Sequence, residues 1–194
     1  MITAELIIPF RFSSDDYALT EQIKSHFAQV RQERHPSSYL TLAEFDEALH
    51  WKLRGQYERQ RKWRQSNTDD VIRTVTGIAL SVAHSDPDYE IELRVGILCA
   101  LRGVGVPVAS AVLALVFPEE YAVIDFRGWR QVFDELKSTF SIADYKRYMR
   151  EIRALAIELG WLPQEVDLAI WEYDRVKGWS FNMEIANINN YSRL

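Results

Sequence analysis

The chain has 194 residues, 47% of them hydrophobic, which is enough for a compact core in one domain or two small lobes. Its formal net charge of -5 argues against a general nucleic-acid binder, which is usually basic. A single cysteine excludes an internal disulfide framework, and the longest uncharged run, Gly103 to Pro118, is too short to span a bilayer.

Helical signals dominate from the first third of the chain onward. The first ten residues, with Ile7 and Ile8 before Pro9, read as a short extended arm. Thr41-Leu42-Ala43-Glu44 is a capping-box pattern ahead of Phe45, Ala48, Leu49 and Leu53. Asn67-Thr68-Asp69-Asp70 starts another helix, whose apolar positions Val71, Ile72, Val75, Ile78, Ala79 and Val82 recur at three- and four-residue spacing. Pro87 and its neighbouring acids open a helix predicted to reach Leu101, with Cys99 as a buried small residue inside it. Pro107 suits the first turn of the next helix, where its missing N–H costs nothing, and Pro118 ends that helix. Ser141-Ile142-Ala143-Asp144 caps a long helix to Leu159, and Gly160 fits its stop. Pro163 begins a further helix through Trp171 and Tyr173, and the Asn-rich tail from Asn182 to Leu194 reads as loosely held. No strand pattern or repeat recurs, so the expected fold class is all-α, with about eight or nine helices.

Two helix patterns meet at Gly103-Val104-Gly105. A glycine hairpin between helices lets backbone N–H groups approach a phosphate, because no Cβ is in the way. Asp125 stands 22 residues beyond Gly103, at a break before a third amphipathic run. It is a favoured N-cap for a helix starting at Phe126, and an N-cap acid at a cleft can also be catalytic. Between Lys52 and Arg64 lie Lys52, Arg54, Arg59, Arg61, Lys62 and Arg64 against Glu58 alone, interleaved with Trp51, Tyr57 and Trp63. Such a stretch is either a phosphate-facing surface with stacking groups or a solvated helix face whose aromatics point inward.

The segment Leu101 to Arg130 resembles the helix-hairpin-helix DNA glycosylases, the superfamily that includes endonuclease III, the adenine glycosylase and the alkyladenine glycosylases. Leu101, Gly103, Val104, Gly105 and Ala109 match the hairpin, Asp125 the catalytic acid and Arg130 the trailing arginine, with no gap between them. The resemblance implies a two-lobed helical glycosylase-like fold. Residues 45–120 would form a helical barrel lobe ending in the hairpin, and residues 1–44 plus 121–194 the second lobe, with Asp125 at the mouth of the cleft. It implies DNA as partner, base excision as activity, and backbone contacts from Gly103, Val104, Gly105 and Val106 to phosphate. It also implies a monovalent cation on the hairpin carbonyls, and otherwise no cofactor.

The chain departs from the family pattern in three places. The lysine that forms a Schiff base in bifunctional members is replaced by Pro107, which implies a monofunctional enzyme. The Thr-His after the acid is Phe126-Arg127, and the four-cysteine cluster pattern is absent. A lysine could come from elsewhere: Lys52, beside Trp51, is the candidate, against its reading as a surface lysine. Arg127 and Arg130 either contact DNA phosphate, pair with Asp125, or pair along their own helix with Asp134 or Glu135. Trp129 reads as core rather than as a stacking group. His26, His35, His50 and His84 lack metal-ligand spacing, so no metal site is expected. The absence of a secretory pattern points to the cytoplasm, with no membrane association. Two other functions compete: a non-catalytic DNA- or protein-binding module on the same fold, and an enzyme acting on a small nucleoside-like substrate.

Overall fold

The computed structural model describes residues 2–15 and 17–191, with side chains left undescribed at 60 and from 178 onward. Among the described residues it is all-helical: α1 (Ala4–Ile7), α2 (Tyr17–Glu33), α3 (Leu42–Leu53), α4 (Arg61–Arg64), α5 (Asp69–Ser81), α6 (Pro87–Leu98), α7 (Val106–Val116), α8 (Phe126–Phe133), α9 (Ile142–Leu159) and α10 (Pro163–Tyr191). Two 3-10 segments, Ile8–Phe10 and Arg54–Gln60, join them.

The expected caps form. Thr41 and Glu44 exchange side-chain and backbone bonds at the start of α3, as do Ser141 and Asp144 at the start of α9. Gly160 closes α9 in the left-handed region at φ 65°, where a Cβ would be strained. Three boundaries differ from expectation. The N-terminal residues coil into α1 and a 3-10 turn rather than an extended arm, with Ile7 fully buried. α6 ends at Leu98, because Ala100 and Leu101 bond three residues back and tighten the chain into the hairpin. Cys99 is consequently half-buried at the edge of the core. α10 continues past Tyr173, through the Asn-rich segment, to Tyr191; residues 192–194 lie outside the described residues.

α7 is the axis of the molecule. Every residue of it except Pro107 is buried, and it packs against α2, α3 and α6. α5 packs on α6 and α3. α10 packs on α1, α8 and α9, while α6 meets α9. α2, grouped by the resemblance with the C-terminal half, thus packs on α3 and α7. Between α7 and α8 the chain runs extended through Tyr121, Ala122, Val123 and Ile124, all buried. Three of its backbone groups are held by buried side chains. Ala122 O accepts from the Tyr145 hydroxyl, Val123 N donates to Asp167, and Ile124 N donates to Ser110. Buried backbone polar groups outside a helix need such partners, and these bonds fix where Asp125 emerges.

Candidate active site

Asp125 is the N-cap of α8. Its Oδ1 accepts from the amides of Arg127 and Gly128, both at 3.0 Å. Its Oδ2 is left to face a neighbouring pocket, where Lys52 Nζ lies 3.3 Å away. The capping and cleft-facing roles therefore coexist, one on each oxygen. Lys52 comes from the last turn of α3, with its side chain only 13% exposed. It is not a surface lysine.

The pocket has a volume of about 50 Å³, room for one or two water molecules. Trp51 and Trp171 stand on its walls with Lys52, Arg54, Asp125 and Asp167. Trp51 and Arg54 also line an adjoining cavity of about 260 Å³ between α2 and α3. Arg54 sits at φ 47° and ψ -123°, outside the regions comfortable for a side chain, and holds its guanidinium 4.8 Å from the Trp171 ring centre. Arg127 covers the same ring at 5.3 Å.

Asp167, which the sequence reading did not consider, forms the inner wall. It accepts from the Tyr148 hydroxyl at 2.8 Å and from Val123 N at 3.3 Å. Burial pushes its carboxyl up to about 7, helped by the negative charge of Asp125 and opposed by Lys52 and the two hydrogen bonds. Burial likewise pushes the Tyr148 phenol well up, so it remains a neutral donor. An acid inside the apolar run Val166 to Ile170 was the available signal.

Arg127 and Arg130 reach a partner that sequence spacing did not suggest. Both bind Asp174, whose side chain is fully buried: Arg127 at 2.9 Å, Arg130 at 2.5 and 2.7 Å, with Gln131 adding a bond at 2.7 Å. Neither arginine pairs with Asp125, Asp134 or Glu135 in these bonds. Burial would raise the Asp174 carboxyl, but the bonds from Arg130, Gln131 and Arg127 outweigh it and hold it below its usual range. Asp167, Trp171 and Asp174 share one face of α10 at four- and three-residue spacing, which carries the pocket wall and this brace together. Trp129 is core, packed on Phe133 and Phe140.

The basic stretch divides. Arg59, Arg61 and Lys62 are exposed, with Arg61 near Glu58. Arg64 is buried, donates to the Tyr57 carbonyl and stacks on its own stretch's Tyr57 ring, so it faces inward. The aromatics divide too: Trp51 bonds Thr20, Tyr57 bonds Asp46, and Trp63 is 67% exposed.

At the hairpin, Gly103 takes φ 76°, a left-handed conformation that favours glycine. Asn67 clamps the turn by accepting from Arg102 N at 3.1 Å and donating to Arg102 O at 2.9 Å. Val104 and Val106 are buried, so only their backbone could meet a ligand. Gly105 is exposed and caps α7 with no side-chain bond.

Among the described residues no group of His, Cys, Asp and Glu could hold a metal ion, and no helix is long and apolar enough to cross a membrane. No family model, curated protein or solved structure matches the chain.

Proposed function

We propose that the protein is a monofunctional base-excision enzyme of the helix-hairpin-helix glycosylase type, hydrolysing an N-glycosidic bond of DNA with Asp125. The two-lobed arrangement, with Asp125 between a hairpin-bearing lobe and the C-terminal helices, belongs to the same proposal. One observation carries it: the oxygen that a helix-capping acid does not use for its cap faces a pocket walled by two tryptophans, a second acid and the lysine that pairs with that oxygen.

Cleaving the bond puts positive charge on the sugar, and the Asp125 carboxylate opposes that charge at short range. Lys52 and the two α8 amides hold this carboxylate in place. Trp51 offers a π-face to a base turned out of the duplex, beside the Trp171 ring that Arg54 and Arg127 already cover, with the adjoining cavity as room for it. The hairpin backbone and the N-terminus of α7 would take a flanking phosphate, with Arg59, Arg61 and Lys62 contributing charge. Arg127 and Arg130 brace α8 through Asp174 instead. The hairpin carbonyls of Leu101, Arg102 and Gly105 already accept protein N–H groups. Gly105 O accepts two of them, whereas Leu101 O and Arg102 O accept one each and keep a second lone pair, which suits a monovalent cation that would bridge to phosphate.

Asp125→Asn tests the proposal. Asn keeps the cap but loses the charge, so base release from lesion-bearing duplexes should vanish while duplex binding persists. Borohydride should trap no adduct with wild type, and strands should break only after alkali. An adduct that disappears in Lys52→Arg would make the enzyme a lyase. Release of no base from any duplex by wild type would overturn base excision. Release from free nucleosides alone would favour a small-substrate enzyme, the second reading, which the acidic net charge of -5 supports.

A further inference from the structure

We infer that Asp167 is the proton donor of the pocket: it protonates the base as it leaves the sugar, while Asp125 faces the sugar. This rests on the glycosidic chemistry proposed above and assigns the second acid a separate role in it.

The two carboxyl groups share one small cavity but not one environment. Asp125 is partly exposed, capped by two amides and bonded to an ammonium. Asp167 is 8% exposed, and its described hydrogen-bond donors, a phenol and one amide at 3.3 Å, are both neutral. The negative charge of Asp125 makes Asp167 costlier to ionise, and neither of those neutral donors offsets that as a cation would. The charged or titratable groups facing Asp167 come from three elements. These are Lys52 of α3 with Arg54 just past its end, Asp125 ahead of α8, and Tyr145 and Tyr148 of α9. Burial raises its carboxyl to about 7, so near neutrality it holds a proton that it can release.

The step balances without a further reactant. The bond between sugar and base nitrogen breaks, and its electron pair leaves with the base. That nitrogen, or a ring atom conjugated to it, takes the Asp167 proton. Water adds to the cationic sugar carbon opposite Asp125 and gives up a proton, which returns to the Asp167 carboxylate. The products are free base and an abasic sugar, with both acids restored.

The test is base release by the full chain as a function of pH, for wild type and Asp167→Asn. The duplexes carry neutral leaving bases (uracil, hypoxanthine) or cationic ones (7-methylguanine, 3-methyladenine), which need no proton to leave. Wild-type release of a neutral base should decline as pH rises through about 7. Asp167→Asn should slow it by roughly 100-fold or more and remove that decline, with cationic bases slowed less than about 10-fold. Carboxyl carbon-13 titration of wild type, assigned by the signal missing in the variant, reads the proton directly and should give a midpoint near 7. If the variant folds too poorly for assignment, an unassigned aspartate titrating near 7 in wild type remains the expected result. A midpoint in the ordinary aspartate range overturns the inference, as does a variant with unchanged pH profile and equal losses on both kinds of base. Wild type that releases no base from any duplex overturns the base-excision proposal, and the donor role falls with it.

Discussion

The hydroxyl of Tyr148 occupies the space that a Cβ on Gly128 would need. Gly128 thereby serves both acids. Its amide caps Asp125, and its missing side chain lets Tyr148 reach Asp167. Alanine at this position must push the phenol away or shift α8. Gly128→Ala should therefore cost about 1–3 kcal/mol of stability by overpacking, read from urea unfolding. In a Tyr148→Phe background, where the hydroxyl is gone, the same substitution should cost clearly less. Equal costs in the two backgrounds would show that this contact is not what excludes a side chain.

Asp174 is the brace behind the site. It joins α10 to α8 through two guanidiniums and an amide, while being fully buried itself. Asp174→Ala should destabilise the chain by about 3 kcal/mol, because two arginines lose their partner; their partial exposure keeps the loss from being larger. Its carboxyl is held below the ordinary value, so its stabilisation is complete above about pH 4 and fades as pH falls through the folded-state value. Urea unfolding of wild type and variant should differ at pH 7 and converge in acid. A constant difference across that range would assign the loss to packing.

The exposed basic residues predict how binding responds to salt. Neutralising Arg59, Arg61 and Lys62 together should make the salt dependence of duplex affinity shallower by about 2 to 3 logarithmic units per decade, if each meets a phosphate. Arg64→Gln should instead lower stability and leave that slope alone, because Arg64 is buried under Tyr57. Titrating labelled duplex at several salt concentrations decides between a phosphate-facing surface and a solvated one. An unchanged slope in the triple variant establishes the solvated one.

Local features of this chain were legible from its residues. Capping boxes at Thr41 and Ser141, the stop at Gly160, the turn at Gly103 and the N-cap at Asp125 each rest on bonds within a few residues. Pairings between distant segments were not. Arg130 meets Asp174 across 44 residues and Lys52 meets Asp125 across 73, and spacing along one helix says nothing of either. Arg64 misled for a related reason: a charge run reads as one surface, but here a 3-10 segment breaks the helix and turns its last arginine inward. Asp167 carried a usable signal, an acid within an apolar run, yet only the packing of α9 and the extended segment around it makes it half of a pair.

That pair leaves a mark on stability that needs no substrate. The Asp167 carboxyl is raised to about 7 in the folded chain, against about 4 when unfolded. Between those values the native state holds a proton that the unfolded chain has released, so stability should fall as pH rises across this window. Above pH 7 the burial of a charged carboxylate is fully felt, and a shift of this size corresponds to about 4 kcal/mol. Asp167→Asn removes the titration while keeping an acceptor for Tyr148 and Val123. Measured by urea unfolding, the variant should gain on wild type steadily from pH 4 to pH 7 and hold that gain above it. If the difference between the two is the same at pH 5 and pH 8, Asp167 does not titrate in that window, and it holds no proton to donate near neutrality.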